Sequence, residues 1–528
     1  MWRFFLPLLV KGNYANGYFL WRFSEATTTR VCTTVFSKRS FPMNRDIFRA
    51  YDIRGVFGVE FAPNDFYRIA RAFAVHFQPK TIAVGYDVRE SSPQLWRKVV
   101  EGLVDSGVDV LNLGRISTDM LYFAVAHYRT DGGIIISASH NPAAYNGMKL
   151  VGRHATPISS DTGLYDLRDA IASNTLFKKR KMRCRGCFQS APFLEAYLTH
   201  LRSFVNLEQL SSKRIVINAN GGLAGQIVER LLAGTSIQIC ERLFTEPDGT
   251  FFQIPAKRPD PLRPENRALT TKAVKQTGAD LAVAWDADAD RCFFFDENGE
   301  FIEGCYITAL LAEKLLQQNG GGVVIFDPRA VWSVENTVIR ANGIPMLNRC
   351  GHSFIKTRMR ETNALFAGEA SGHYYFRDNF GADNGMIPFL LVLESLSTNG
   401  TSLAESVDRF RSEYPVSGEI NFSFETCKHI QDAVKTIRKT IRSLGNRPCI
   451  ETPIDGLSVR FLTNSCASAL EHGNWRFNLR ESNTEPFLRL NVETIGDENL
   501  LIEQTMKISA KLESIGGRRE TRFRWEPE

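Results

Sequence analysis

Residues 132–150 read GGIIISASHNPAAYNGMKL. The opening run, GGIIISA, is uncharged and apolar and gives way to a polar segment carrying Ser139, His140, Asn141 and a proline. A short continuous apolar run bounded by turn residues predicts a buried strand of the kind found in parallel sheets. In open α/β sheets, ligand loops lie at the carboxyl ends of strands. Ser139 is therefore read either as an exposed nucleophile or phosphoryl carrier, or as the hydroxyl of a strand-ending turn punctuated by Asn-Pro. Under the first reading Lys149, further along the same segment, supplies positive charge or an acid–base group.

Similar runs lie on both sides. TIAVGY (81–86), VDVLNLG (108–114), RIVINAN (214–220), ADLAVAWD (279–286), CFFFD (292–296) and GGVVIFD (321–327) are all predicted strands. Between them, Leu95, Val99 and Leu103 mark a helix over 93–106, and ITALLAEKLLQQ predicts another over 307–318. Alternation of buried strands with helical patterns predicts parallel α/β architecture. The strand–loop–helix unit recurs near 81–150, 213–300 and 321–395, which suggests related domains. The last part of the chain differs: a helix over 427–444, then LSVRF (457–461) and WRFNLR (475–480), which reads as α+β. The expected division is a leader, 1–42, and domains over 43–195, 196–303, 304–412 and 413–528.

Composition narrows the function. The chain has 528 residues, 43% hydrophobic and 23% charged, which excludes a mainly disordered chain, a coiled coil and a disulfide scaffold. The net charge is +6, but residues 1–42 carry Arg3, Lys11, Arg22, Arg30, Lys38 and Arg39 against Glu25 alone. The near-neutral remainder argues against a nucleic-acid groove. No run approaches ~20 apolar residues, so no membrane span is expected. The Ser/Thr-rich, basic leader resembles an organelle transit peptide or an upstream extension of the reading frame, and the body reads as cytoplasmic. Of the ten cysteines only Cys184 and Cys187 form a CxxC. With no second pair for zinc, they read as reduced thiols. The basic run KKRKMRCR (178–185) reads as a solvated loop.

Three further segments carry chemistry. In DADADR (286–291), Asp286, Asp288 and Asp290 alternate with alanine. Period-two spacing on an extended loop puts three carboxylates on one side, where they repel unless a cation neutralises them, and hard oxygen ligands suit Mg²⁺ or Mn²⁺. With Glu297 the pattern mimics an EF-hand, but Arg291 stands where that loop needs glycine and the flanks read as strands. GEASGH (368–373) places Glu369, Ser371 and His373 at period-two spacing, suited to sugar hydroxyls. CGHSFIK (350–356) adds His352 and Lys356 as proton-transfer or phosphate-binding groups. In RESNTEPFLR (480–489), Arg480, Ser482, Asn483 and Thr484 are donors in a tight loop after a strand. They are suited to a phosphate dianion or, alternatively, to a turn with a helix cap.

Taken in order, FRAYDIRG (48–55), SASHNP, DADADR, GEASGH and RESNTEP resemble the α-D-phosphohexomutase superfamily, most nearly its bacterial phosphomannomutases, over 43–528. The resemblance implies an α/β fold of four domains around a central cleft. Three of them are similar α/β domains with mixed sheets, and a smaller C-terminal α+β domain is the fourth. It implies that Ser139 is a phosphoserine whose phosphate, with Asp286, Asp288 and Asp290, holds Mg²⁺, with Arg291 beside it. Lys149 and His352 match positions that assist proton transfer. Glu369, Ser371 and His373 match the sugar loop, and Arg480, Ser482, Asn483 and Thr484 match the grip on the nonreacting phosphate. Tyr51 and Arg54 match a loop near the nucleophile, and Arg329, a candidate substrate-binding residue in the FDPR segment, stands where the family often has lysine. Ala287 and Ala289 stand where glycine is common, and alanine disfavours positive φ. The implied substrate is a hexose phosphate and the activator a hexose 1,6-bisphosphate, in a monomer or dimer. Mannose preference is the leading reading. Glucose or dual specificity is the alternative, and a metal-dependent sugar phosphatase comes behind both.

Overall fold

The first sheet is built from β1 (Ile53–Val56), β2 (Thr81–Tyr86), β3 (Asp109–Arg115), β4 (Gly132–Ile136), β5 (Tyr145–Gly152) and β6 (Phe188–Ser190). They lie in the order β1-β5-β4-β2-β3-β6. Every residue of β4 is buried, as its unbroken apolar run requires. β2 pairs in parallel with both β3 and β4, whereas β5 runs antiparallel between β4 and β1. This computed structural model describes residues 43–173, 184–444, 448–463, 471–482, 487–521 and 523. The leader, most of the basic run, Asn483 and Thr484 lie outside the described residues.

The same plan recurs twice. β7 (Arg214–Asn218), β8 (Gln238–Leu243), β9 (Leu281–Trp285), β10 (Cys292–Phe295) and β11 (Phe301–Ile302) form a sheet ordered β11-β10-β9-β7-β8. β12 (Val323–Phe326), β13 (Ile344–Leu347), β14 (Phe366–Gly368), β15 (Tyr374–Phe376) and β16 (Ala382–Asp383) form one ordered β13-β12-β14-β15-β16. In both, a first strand pairs in parallel with the second and third, and the fourth returns antiparallel beside the third. In the first sheet β2, β3, β4 and β5 play these parts. The sheets are thus mixed rather than purely parallel. The reason is loop length: 137–144, 286–291 and 369–373 are too short for a crossover, which takes a dozen residues or more, and can only reverse the chain.

Helices make the parallel crossovers: Ser92–Asp105 and Thr118–His127 in the first domain, Ala224–Leu231 and Pro264–Thr277 in the second, Trp332–Arg340 and His352–Thr362 in the third. One continuous apolar core runs through all three domains. The helix Met386–Asn399 is buried from Met386 through Leu396, as its nearly all-apolar sequence demands. The fourth domain has its own core under an antiparallel sheet of β17 (Ile420–Ser423), β18 (Cys449–Thr452), β19 (Leu457–Phe461), β20 (Trp475–Glu481), β21 (Phe487–Thr494) and β22 (Arg518–Arg519). Among the described residues no helix is long and apolar enough to cross a membrane.

Candidate active site

The three short reversals between third and fourth strands carry the serine, the aspartates and the glutamate–histidine segment. They meet in one cleft of about 500 Å³, which the fourth domain completes with Arg480, Ser482 and Arg489. A volume of this order suits a small polar ligand.

Ser139 follows β4 with φ 48°, in the left-handed region that costs a non-glycine residue energy. Its N–H donates to Ser137 Oγ at 3.0 Å, and its Oγ donates to Asp286 Oδ2 at 2.9 Å. His140 Nδ1 lies 3.2 Å from the same Oγ, and Arg54 Nη1 donates to Asn141 Oδ1 at 2.6 Å. The turn reading of this loop is correct as far as it goes, but the turn aims its hydroxyl at a carboxylate from another domain.

The acidic loop is a turn, not an extended segment: Ala289 N–H donates to Asp286 C=O at 3.1 Å, and Ala289 takes φ 53°. Alanine therefore adopts here the conformation that glycine adopts freely. The backbone is hemmed in, since a Cβ on Gly222 would come within 2.8 Å of Ala287 Cα. The carboxylates nonetheless converge, all within 4.8 Å of one another and all buried. Each Oδ2 is partnered. Asp286 Oδ2 accepts from Arg291 Nε at 2.8 Å; Asp288 Oδ2 accepts from Lys149 Nζ and Thr118 Oγ1, both at 2.7 Å; Asp290 Oδ2 accepts from Lys149 Nζ at 2.5 Å. Each Oδ1 is buried with no hydrogen-bond partner.

Three clustered carboxylates, each with a buried oxygen that no donor satisfies, fit a hard divalent cation. At an effective dielectric of about 20, two such charges at ~4.8 Å repel by about 3 kcal/mol. Lys149 and Arg291 offset two of the three negative charges. Without an ion, burial pushes Asp286 up to about 7 despite Arg291. Burial would also raise Asp288, but the charge and hydrogen bond of Lys149 outweigh it and hold that carboxyl well below its usual range. Burial opposes the charge on Lys149, yet Asp288 and Asp290 keep it well above the ordinary lysine range. It is a fixed cation here.

Facing this cluster, Glu369 accepts from Gly351 N–H at 2.9 Å and from Tyr375 OH at 2.6 Å. Arg329 donates to Ser371 Oγ at 3.2 Å and pairs with Asp327 at 2.6 Å. His373 pairs through Nδ1 with Asp383 at 2.9 Å. Its backbone bridges that of Arg291, so the acidic and glutamate–histidine loops adjoin. His352 lines the cleft; burial, then the nearby Lys356 charge, lowers it well below the usual histidine range. Tyr51 meets it edge-on at 5.4 Å. Lys356 is not in the cleft: it is buried behind it, donating to Tyr122 OH and Asp383 Oδ1, both at 2.8 Å. In the fourth domain Glu419 lies 3.0 Å from Arg489, 3.7 Å from Arg480 and 3.8 Å from Arg329.

The sequence reading missed His140 and Asn141 as site residues, although they flank the serine. It also missed Thr118, Asp383 and Glu419, which lie far from any motif in sequence and reach the site only through the fold.

This arrangement, a hydroxyl against three buried carboxylates in a cleft also lined by arginines, suits a phosphoryl-transfer enzyme. Models of the phosphoglucomutase/phosphomannomutase α/β/α domains I, II and III match residues 45–176, 195–299 and 303–414. The phosphohexose mutases of Xanthomonas campestris are 44% identical over 467 residues, covering 88% of this chain and 99% of theirs. A Salmonella montevideo phosphomannomutase is 41% identical over 476 residues, covering 89% and 100%. A crystal structure of a phosphoglucomutase/phosphomannomutase family protein from Burkholderia thailandensis superposes with a TM-score of 0.76 at 27% identity, covering 91% of this chain and all of that one. The chain belongs to the phosphoglucomutase/phosphomannomutase family and is a phosphohexomutase, an isomerase acting by phosphoryl transfer.

Proposed function

We propose that the protein interconverts mannose 6-phosphate and mannose 1-phosphate through a phosphoserine at Ser139 and a hexose 1,6-bisphosphate intermediate. The observation that carries the reading is the 2.9 Å contact between Ser139 Oγ and Asp286, in a cleft that Arg329, Arg480 and Arg489 also line. The relatives named phosphomannomutase support mannose as the sugar.

Asp286, Asp288 and Asp290 would hold Mg²⁺, each having a buried carboxylate oxygen with no hydrogen-bond partner. When bound, that ion neutralises charge on the transferring group. Ser139 carries the phosphoryl group and gives it to the free sugar hydroxyl. His352, neutral and lining the cleft, is suited to take the hydroxyl proton. Lys149 stays charged and adds positive potential beside the nucleophile. Arg480 and Ser482, with Asn483 and Thr484, grip the phosphate that is not reacting, while Glu369, Ser371 and His373 hold the sugar and Arg329 supports that loop. Tyr51 and Arg54 shape the mouth of the serine loop. The bisphosphate then turns; its other phosphoryl group passes to Ser139 Oγ as that hydroxyl loses its proton, and the sugar oxygen left behind takes up the proton held at His352. In the unphosphorylated state Asp286 Oδ2 accepts the hydrogen bond from Ser139 Oγ, so it is the first station for the serine proton. A hexose 1,6-bisphosphate serves as activator by re-phosphorylating Ser139.

Initial rates on mannose 1-phosphate and glucose 1-phosphate, with Mg²⁺ and trace bisphosphate, test the reading. Greater kcat/KM on the mannose ester is expected. A preference for glucose would overturn the sugar assignment, and net release of inorganic phosphate in place of isomerisation would overturn the mutase assignment.

A further inference from the structure

The threefold plan extends to a feature outside the motifs. Each first strand ends in an Asx turn: Arg89 N–H donates to Asp87 Oδ1 at 3.0 Å, Asn220 N–H to Asn218 Oδ1 at 3.0 Å, and Arg329 N–H to Asp327 Oδ1 at 2.8 Å. In each domain the side chain of the turn's third residue reaches to the reversal that carries the functional groups. Asn220 Nδ2 donates to Trp285 C=O at 2.9 Å, at the start of the acidic loop. Arg329 reaches Ser371 in the glutamate–histidine loop.

Arg89 does the most. Its Nη1 donates to the carbonyls of Pro142 and Tyr145 at 2.7 and 3.0 Å, and its Nη2 to those of Ser139 and Asn141 at 2.7 and 2.6 Å. Asp87 lies 3.2 Å from its Nε as counter-charge, and Phe251 of the second domain lies 5.0 Å from it as a ring face. Arg89 is 1% exposed and does not line the cleft. We propose that Arg89 is the positioning residue of the nucleophile: the serine loop is wound around its guanidinium, and this holds Ser139 in its left-handed conformation with Oγ directed at Asp286. A lysine has the charge but not the planar fork, so it cannot serve four carbonyls at once. A misplacement of ~1 Å at a reacting group costs about 10²-fold in rate.

The inference rests on Ser139 being the phosphoryl carrier, so both are read in one experiment. Wild type and Arg89→Lys are incubated with glucose 1,6-bisphosphate and Mg²⁺. The rate of phosphorylation at residue 139 is followed by mass spectrometry, and kcat, KM and thermal melting are measured alongside. The expected result is a melted-fraction-corrected kcat and phosphorylation rate down about 10²-fold with KM within about threefold. The matching variant of the third domain, Arg329→Lys, should act chiefly on KM. If Arg89→Lys does not fold, Asp87→Asn carries the test, because it is isosteric and leaves the guanidinium in place without its counter-charge; about a tenfold fall in kcat at unchanged KM is expected. Wild type that takes no phosphate at residue 139 refutes the proposed function. Wild type that does, beside a folded variant with unchanged kcat and phosphorylation rate, refutes the role of Arg89.

Discussion

The two ends of the cleft are built differently. At the nucleophile end, Ser139, Lys149, Arg291 and the three aspartates are each 5% exposed or less, and each carboxylate is hydrogen-bonded on one oxygen and not on the other. At the opposite end, Arg489 and Arg480 lie 3.0 and 3.7 Å from Glu419, and Arg329, paired with Asp327 at 2.6 Å, lies 3.8 Å from the same carboxylate. The first end is preorganised for charge that develops in a transition state, where fixed dipoles and ions count most. The second gathers positive charge, which suits binding of an anionic ligand. Changes at the first should therefore appear in kcat and changes at the second in KM.

The largest effect is expected at the acidic loop. Asp288→Asn removes one inward oxygen charge and one partner of Lys149; kcat should fall about 10³-fold, with weaker Mg²⁺ binding by calorimetry. A variant that keeps both would erase the contrast between the two ends. Next comes Arg480→Ala: loss of a charged donor to phosphate costs about 2 kcal/mol, which raises KM about 30-fold while kcat changes little. A fall in kcat alone would place Arg480 with the nucleophile. The smallest effect concerns pH. His352 is held neutral in the fold, its pKa well below the ordinary value. Below about pH 6.5 the unfolded chain binds a proton there that the folded chain does not, so this residue lowers stability as pH falls. His352→Gln should remove about 1 kcal/mol of the loss between pH 7.5 and 5.5, read from denaturant melts at both pH values. An identical pH dependence in both proteins would show that His352 is not held neutral.

Much of this was legible in the chain. The runs TIAVGY and LSVRF coincide with β2 and β19 residue for residue, whereas ADLAVAWD overruns β9 by two residues at its start and one at its end, because apolar runs bounded by turn residues mark buried strands without fixing their last residues. The helix of 93–106 begins one residue earlier than its periodicity showed, as capping residues carry no apolar signal. The aspartates were found, but for an imperfect reason: alternation suggested an extended loop, whereas a left-handed Ala289 folds it into a turn whose carboxylates still converge. Lys356 looked like a cleft residue because it shares a segment with His352. Four positions on, it lies one helical turn away and faces Asp383 in the interior instead. Arg89 was legible in principle, since D-V-R after β2 repeats the D-P-R after β12, but only the topology shows that these positions correspond.

The central claim is that Ser139 carries the phosphoryl group. Purified protein treated with a hexose 1,6-bisphosphate and Mg²⁺, digested and analysed by mass spectrometry, addresses it directly. The account predicts a single phosphoryl group on the peptide holding residue 139, lost on adding hexose 6-phosphate and absent in Ser139→Ala. A phosphoryl group on another residue, or full mutase turnover by Ser139→Ala, would contradict it.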